Sequence, residues 1–454
     1  MVVSAIRAQL SWTKALALLT LALVLGFVAA HFTATLGIDL PTLIPALGAV
    51  GTLATADAIL KDLYRGPIIE QINYKTYMLD MIERDSDSVD TQGRRAIIPV
   101  ESSGNESSTS MSDGGTLANP QIGLEQDAIV TIRYHDGGVE LSDALIKQAT
   151  GNNAGAFVNK LDRETDNLAK GMRKNLNRQV FGDGTGLLAT LTSSPAAATT
   201  FTVDASQHLR VNMVIDVLNI STGAAGASGV TITGVNRTTK TITVGTAITA
   251  TTTTFGVYKE GARLQEMDGL RNISGTGRIL HGINSATAGN EFWNGARRAA
   301  SGAVAGEGLF EQLADDVGAN GQGDVEVFLT TRGIRRRLAD TYQSTKRFND
   351  AKAVEIHGGY TAIFVNEIPV IIDDDIPKGW VFALRKDAFL WAQVQDPDWL
   401  SDPKTGVAWQ LGMGSTLGRR RAAWQAWFVW YAALACVAPN RVGAIPDAQD
   451  DSSG

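Results

Sequence analysis

Two arginine triplets, Arg335-Arg336-Arg337 and Arg419-Arg420-Arg421, one acidic triplet, Asp373-Asp374-Asp375, and the run Gly182-Asp183-Gly184-Thr185-Gly186 are where this chain could do chemistry. Guanidinium clusters suit the phosphates of nucleic acid or the carboxylates of a neighbouring protein, and the plainer reading of a charge run is a solvated face. Three adjacent carboxylates could attract calcium. A calcium site needs about six to eight converging oxygens, however, whereas neighbours on a strand end alternate in direction, so a solvated acidic turn is the reading preferred. The glycine-rich run follows a helical pattern where a phosphate cradle must precede one, and reads as a turn. GxxxxGK followed by Ser or Thr, HExxH and GxSxG are all missing, and the five histidines are scattered. No catalytic residue, cofactor or metal ligand is expected, and the chain is not read as an enzyme.

Composition narrows the class. With 454 residues, 44% hydrophobic and 19% charged, the chain is globular with ample core, and long enough for two or three packed units. A net charge of −7 argues against nucleic-acid binding over the whole surface. The single cysteine, Cys436, excludes an intrachain disulfide and reads as a small buried apolar residue.

The elements that must position these groups follow from periodicity. Residues 422–438 carry no charge and hold three tryptophans within seven positions, Trp424, Trp427 and Trp430. An apolar run without alternation predicts a strand buried on both faces, and 17 residues are marginal for a membrane helix. This strand is expected to complete the sheet of the unit before it. Residues 154–181 read as the clearest helix, with Phe157, Leu161, Leu168, Met172, Leu176 and Val180 on one face. Two strands, 94–100 and 127–135, flank a Ser/Gly-rich stretch and predict an extended hairpin. On its second strand Ala128, Val130, Ile132 and Tyr134 share one face, while Thr131, Arg133 and His135 share the other. Loops this long are unusual unless they have a task, and reaching over a neighbouring subunit is one. Residues 199–258 hold sixteen threonines and predict a separate small β module, barrel or sandwich. Residues 55–83 read as a helical arm broken at Gly66-Pro67, with nothing local to bury its apolar stripe. From 306 onward helix, strand, helix and strands alternate, with Thr330 or Thr331 as the cap of the helix that carries Arg335–Arg337.

Residues 15–38 are uncharged and preceded by Arg7 and Lys14. Alone they read as a membrane anchor or a signal peptide. The preferred reading is that 1–49 are a removed leader or lie upstream of the natural start near Val50.

The order of these elements resembles the major capsid protein of tailed bacteriophages, the Hong Kong 97-type shell fold, and phages of actinobacteria in particular. The resemblance spans about 55–445 and lies in the phrases at 266–272, 282–293, 325–342 and 366–375 and in the tryptophan strand. It implies an α+β fold in which 1–50 are the leader, 51–93 an N-arm, 94–136 the extended loop and 137–198 a peripheral domain with the 154–181 spine helix. Residues 199–258 would be an inserted β domain, 259–299 the peripheral return, 300–385 an axial domain, 386–447 closing strands and 448–454 an acidic tail. It further implies homo-pentamers and homo-hexamers of an icosahedral shell around double-stranded DNA without sequence-specific contact. Implied partners are a separate scaffolding protein, a portal and a maturation protease, and the implied location is the virion, assembled in the host cytoplasm. Subunit contacts are expected at Arg94, Arg95, Glu101, Asp113, Arg133, Arg335, Arg336, Arg337, Arg419, Arg420 and Arg421. Some family members cross-link through a lysine on the extended loop; here no lysine lies between Lys75 and Lys147. An encapsulin-like compartment and a membrane-anchored surface protein are the alternatives.

Overall fold

The computed structural model describes residues 77–85, 90–92, 95–143, 154–250, 254–345, 355–356, 360–361, 363–401, 406–413 and 420–451. The leader, most of the arm, Arg94 and Arg419 lie outside these residues. The architecture is α+β, as the sequence implies, with two mixed sheets, one long helix and a closed β module.

The tryptophan run is a single strand, Arg420–Cys436, about 56 Å long at ~3.3 Å per residue. One edge pairs with Arg133–Ser142 over Ala423 to Ala432. The other edge takes Phe389–Gln393, Asp398–Trp399 and Gln410–Met413 in succession. Phe428, Trp430, Leu434 and Cys436 are buried on one face, and Ala433 and Ala435 on the other. Two-sided burial explains the uncharged sequence.

This strand does not complete the sheet of residues 300–385, contrary to the expectation. Pro439 ends the pairing and the chain turns through Pro439–Arg441. The strand that enters the second sheet is Gly443–Ile445, which lies between Ala296–Arg297 and Val381–Leu384. That sheet continues through Val327–Thr330, Ile368–Ile372 and Ile363–Val365. Helices Glu307–Gly321 and Arg332–Thr345 cover it with Phe310, Leu313, Val317, Ile334 and Leu338. Thr331 caps the second of these, its hydroxyl accepting from Ile334 N–H at 3.4 Å.

The spine helix is Ala154–Val180, about 40 Å long. Met172, Leu176 and Val180 are buried against the long strand's core, and Leu168 packs beside them. The side chains of Phe157 and Leu161 lie outside the description. A close approach makes this possible. A Cβ on Gly137 would stand 2.5 Å from Leu168 Cδ1 and 3.1 Å from Met172 Sδ. The helix therefore rests on bare backbone there, and a side chain at 137 would force Leu168 and Met172 to shift. The run at 182–186 is a turn as read, with Gly184 and Gly186 both in the left-handed region.

The hairpin consists of Arg95–Ser103 and Leu124–Thr131, paired from Arg95↔Thr131 outward. Ala96, Ala128 and Val130 are buried at its root. The alternation read for 127–135 breaks at Ile132, where the chain leaves the hairpin and joins the long strand. One residue without a ladder partner inverts the facing of all that follow. Hence His135 is buried and Tyr134 exposed, opposite to the expectation.

The β module draws in Leu187–Thr190 besides 199–258. Its six strands run in the order 187–190, 255–259, 214–219, 225–236, 241–248, 198–202. The outer two meet through the Leu191↔Val203 bridge and the Thr192 N–H to Thr202 carbonyl bond of 2.9 Å, which closes a barrel around its own core.

Candidate assembly surfaces

Two surfaces stand out, the hairpin and a charged cavity at the foot of the spine. Asp90–Gln92 adds a third strand at the hairpin's root, opposite Arg95 to Ile97; beyond it the hairpin extends from the body as a two-stranded ribbon with a tip of about twenty residues, 104–123. Met111, Leu117, Ile122 and Leu124 are 59%, 77%, 88% and 64% exposed, a run of apolar side chains that intrachain packing leaves in water. Its root is firmly held. Ile129 N–H donates to His281 carbonyl at 2.7 Å, Gln126 Nε2 to Asn290 Oδ1 at 2.8 Å, and His281 Nε2 accepts from Cys436 N–H at 3.1 Å. That last bond requires a neutral imidazole, and burial pushes His281 down to about 4. Burial also lowers His135 to about 4, its Nε2 lying 3.2 Å from Ala432 carbonyl.

The cavity has a volume of about 650 Å³ and lies where spine, barrel and the Arg332–Thr345 helix meet. Lys174, Arg210, Arg237, Arg332 and Arg336 line it together with Asp373, Asp374 and Asp375. The acidic triplet is only in part the solvated turn read from the sequence: Asp374 is exposed, whereas Asp373 and Asp375 are largely withdrawn from water. Asn177 Nδ2 donates to Asp373 Oδ1 at 3.0 Å and to Asp375 Oδ2 at 2.7 Å, and Arg332 pairs with Asp374 at 2.7 Å. Desolvation, reinforced by the neighbouring carboxylates, pushes Asp373 up to about 6, and desolvation also raises Asp375. Arg332 instead holds Asp374 below the usual range. Among the described residues no group of three or more His, Cys, Asp or Glu is placed to hold a metal ion.

The residues expected at subunit contacts are dispersed. Arg95 is exposed at the hairpin root, Glu101 is exposed with Glu125 directly opposite it, and Asp113 is exposed at the tip. Arg133 is partly buried beside Ala432. Arg335 is partly buried, whereas Arg336 and Arg337 reach Asp451 of the same chain at 3.4 and 3.7 Å. Arg421 pairs with Glu140 at 3.2 Å. Arg420 is in the long strand, with its side chain outside the description. Only Arg336 of this set lines the cavity. Lys174, Arg210, Arg237 and Arg332 were not singled out, because four cations spread over 174–332 form no local run that a sequence reading could recognise.

No protein-family model matches the chain, and no curated protein matches it. Three solved structures similar to it are the following. The cyanophage A-1(L) capsid asymmetric unit is 13% identical, covering 83% of this chain and 93% of that one, with a TM-score of 0.47. The capsid of a native GTA particle is 10% identical, covering 83% and 90%, with a TM-score of 0.41. The SrpI encapsulin of Synechococcus elongatus PCC 7942 is 9% identical, covering 83% and 89%, with a TM-score of 0.38. At such identities no residue role passes from these proteins to this chain. Among the described residues no helix is long and apolar enough to cross a membrane.

Proposed function

We propose that this chain is a structural subunit of a closed shell, the major capsid protein of a tailed-phage head, and that it is not an enzyme. The observation that carries the reading is the hairpin. An isolated two-stranded ribbon is marginal in water, and one that leaves four large apolar side chains in solvent gains stability only when another surface covers them. A second copy of the chain supplies that surface at equal abundance. Hairpin on body is a head-to-tail contact, and such contacts close into rings of five and six when the rotation permits. The spine and the long strand give the body the stiffness that a ring needs. Within this reading the shell encloses double-stranded DNA, and the net charge of −7 limits adhesion of that DNA to its wall. A separate scaffold, a portal and a protease complete assembly in the host cytoplasm, and the virion is the final location.

Electron microscopy of the expressed chain tests this. Uniform closed particles, or rings of five and six, are the expected result. A monodisperse monomer at all concentrations would refute it. Particles that carry a folded enzyme and no DNA in their native host would make the chain an encapsulin-like compartment instead.

A further inference from the structure

Two arginines of the triplet at 335–337 are met by carboxylates of the same chain. Past the strand Gly443–Ile445 the backbone stays pinned: Ala448 N–H donates to Gly379 carbonyl and Gln449 N–H to Ala303 carbonyl, both at 2.9 Å. Asp450 Oδ2 accepts from the Thr331 hydroxyl at 2.6 Å and from Gly379 N–H at 3.1 Å, so the segment is anchored on neutral donors. One residue further, Asp451 Oδ2 lies 3.4 Å from Arg336 Nη1 and 3.7 Å from Arg337 Nε. Those arginine side chains are 59% and 37% exposed, and exposed pairs of this length hold little energy of their own. The anchor is firm and the carboxylate it presents is loosely held. The charges around this contact balance only with the segment in place. Arg336 lines the cavity with Lys174, Arg210, Arg237 and Arg332, and Arg337 stands beside it. Facing them are Asp373, Asp374 and Asp375, and Asp340 one helical turn beyond Arg336. Asp450 and Asp451 bring the carboxylates level with the cations. Lys378 and Asp447, both exposed, flank the anchor and offset each other, while Arg335 is partly buried and engaged within the chain.

We infer that Arg336 and Arg337 form a site for nucleic-acid phosphate, and that Asp451, positioned by Asp450, occupies it as a tethered competitor. Tethering gives the carboxylate a high effective concentration, so an incoming strand meets an occupied site although each pair is weak. With that carboxylate neutralised, two guanidiniums beside a cation-lined cavity face solvent, and phosphate is the anion whose geometry their planar donors match. The inference rests on the shell reading only in taking double-stranded DNA as the source of phosphate. It assigns to that reading the place where the wall touches its contents, and the reason the touch is weak.

The test measures binding of a fluorescein-labelled DNA duplex to the full-length, unassembled subunit by anisotropy over a range of salt. D450N/D451N keeps the shape of the segment, since an asparagine oxygen still accepts from Thr331 and Gly379. It should bind about tenfold more tightly than the parent at low salt, with a log–log salt dependence steeper by about two, one for each arginine released. D451N alone should give part of that gain and leave the unfolding midpoint unchanged, because Asp451 touches only the two exposed arginines among the described residues. Adding R336E/R337E to D450N/D451N should return the affinity to the parent's or below. Equal binding by the parent and both asparagine variants, all folded, would overturn the inference, as would a gain that R336E/R337E leaves in place. Electron micrographs of the same variants separate the two readings. Closed particles without any gain in DNA binding would leave the shell standing without this site, whereas the gain in a chain that never forms particles would keep the phosphate site and refute the shell.

Discussion

The spine is fastened to the segment leaving the barrel by a buried ion pair, and removing half of it should be severe. Arg178 Nη1 donates to Glu266 Oε2 at 2.9 Å, Nη2 donates to Glu266 Oε1, and Nη2 also reaches Asn175 Oδ1 at 3.0 Å. The two side chains are only 9% and 6% exposed. Glu266→Gln keeps the shape but turns an amide N–H toward the guanidinium, leaving a buried cation with at most one bond to that side chain. Breaking a buried pair from one side costs about 3–5 kcal/mol, and we expect about 3–4 here because the Asn175 bond survives. Replacing both partners, R178M/E266L, leaves no orphan charge and should fall within about 1 kcal/mol of the parent. Urea unfolding of the unassembled subunit, followed by tryptophan fluorescence, reads this core directly, since Trp293, Trp391 and Trp430 share it with Leu176 and Val180. A Glu266→Gln loss below about 1 kcal/mol would refute the reasoning, as would a double variant no better than the single one.

Acid should loosen the fold. His135, His208 and His281 fall from 6.5 to about 4, 3 and 4 through burial, with nearby arginines adding to the effect at His208 and His281. Above pH 6.5 they contribute nothing. Between 6.5 and 4 the unfolded chain takes up protons that the folded chain refuses, so stability falls by up to roughly 3 kcal/mol per imidazole. Asp373 acts oppositely. Its rise from 3.8 to about 6 gives back at most about 3 kcal/mol as pH drops from 6 to 4. A net loss on acidification is therefore expected in urea titrations at pH 7.5 and 4.5, and equal midpoints would contradict it. Gly137→Val should cost about 1–3 kcal/mol and lower the unfolding midpoint, since the Leu168 and Met172 side chains of the spine must give way to the new side chain; an unchanged midpoint would show that the helix is not seated as described. Leu117→Asp with Ile122→Asp should leave the subunit's circular dichroism and unfolding midpoint unchanged and abolish particles in electron micrographs. Normal particles from that variant would remove the hairpin from the assembly contact.

What was legible in the sequence was what the backbone periodicity dictates. The spine could be read because Leu168, Met172, Leu176 and Val180 repeat at helical spacing, and the long strand because the uncharged run 422–438 suits two-sided burial. Which sheet the strand joins was hidden, since pairing partners are chosen in tertiary space and Pro439 moves the chain from one sheet to the other within a few residues. The reversal at Ile132 was hidden for a related reason. Alternation is a local rule, and a strand that changes partners resets it. The solvated turn holds for Asp374 but not for Asp373 and Asp375, whose environment comes from Asn177, nearly two hundred residues away. The charged cavity has the same origin, with cations from the spine, the barrel and the second sheet's helix meeting only after folding.

The barrel's closure has an evolutionary consequence. Its first and last strands, Leu187–Thr190 and Phe255–Lys259, are antiparallel neighbours, and Leu264 N–H returns to Thr185 carbonyl at 2.9 Å. The polypeptide thus departs from the body and comes back at the same place. Any folded module whose ends lie one strand spacing apart could be grafted there without disturbing the spine, so this position is where lineages could exchange or discard whole modules while the framework beneath is inherited unchanged.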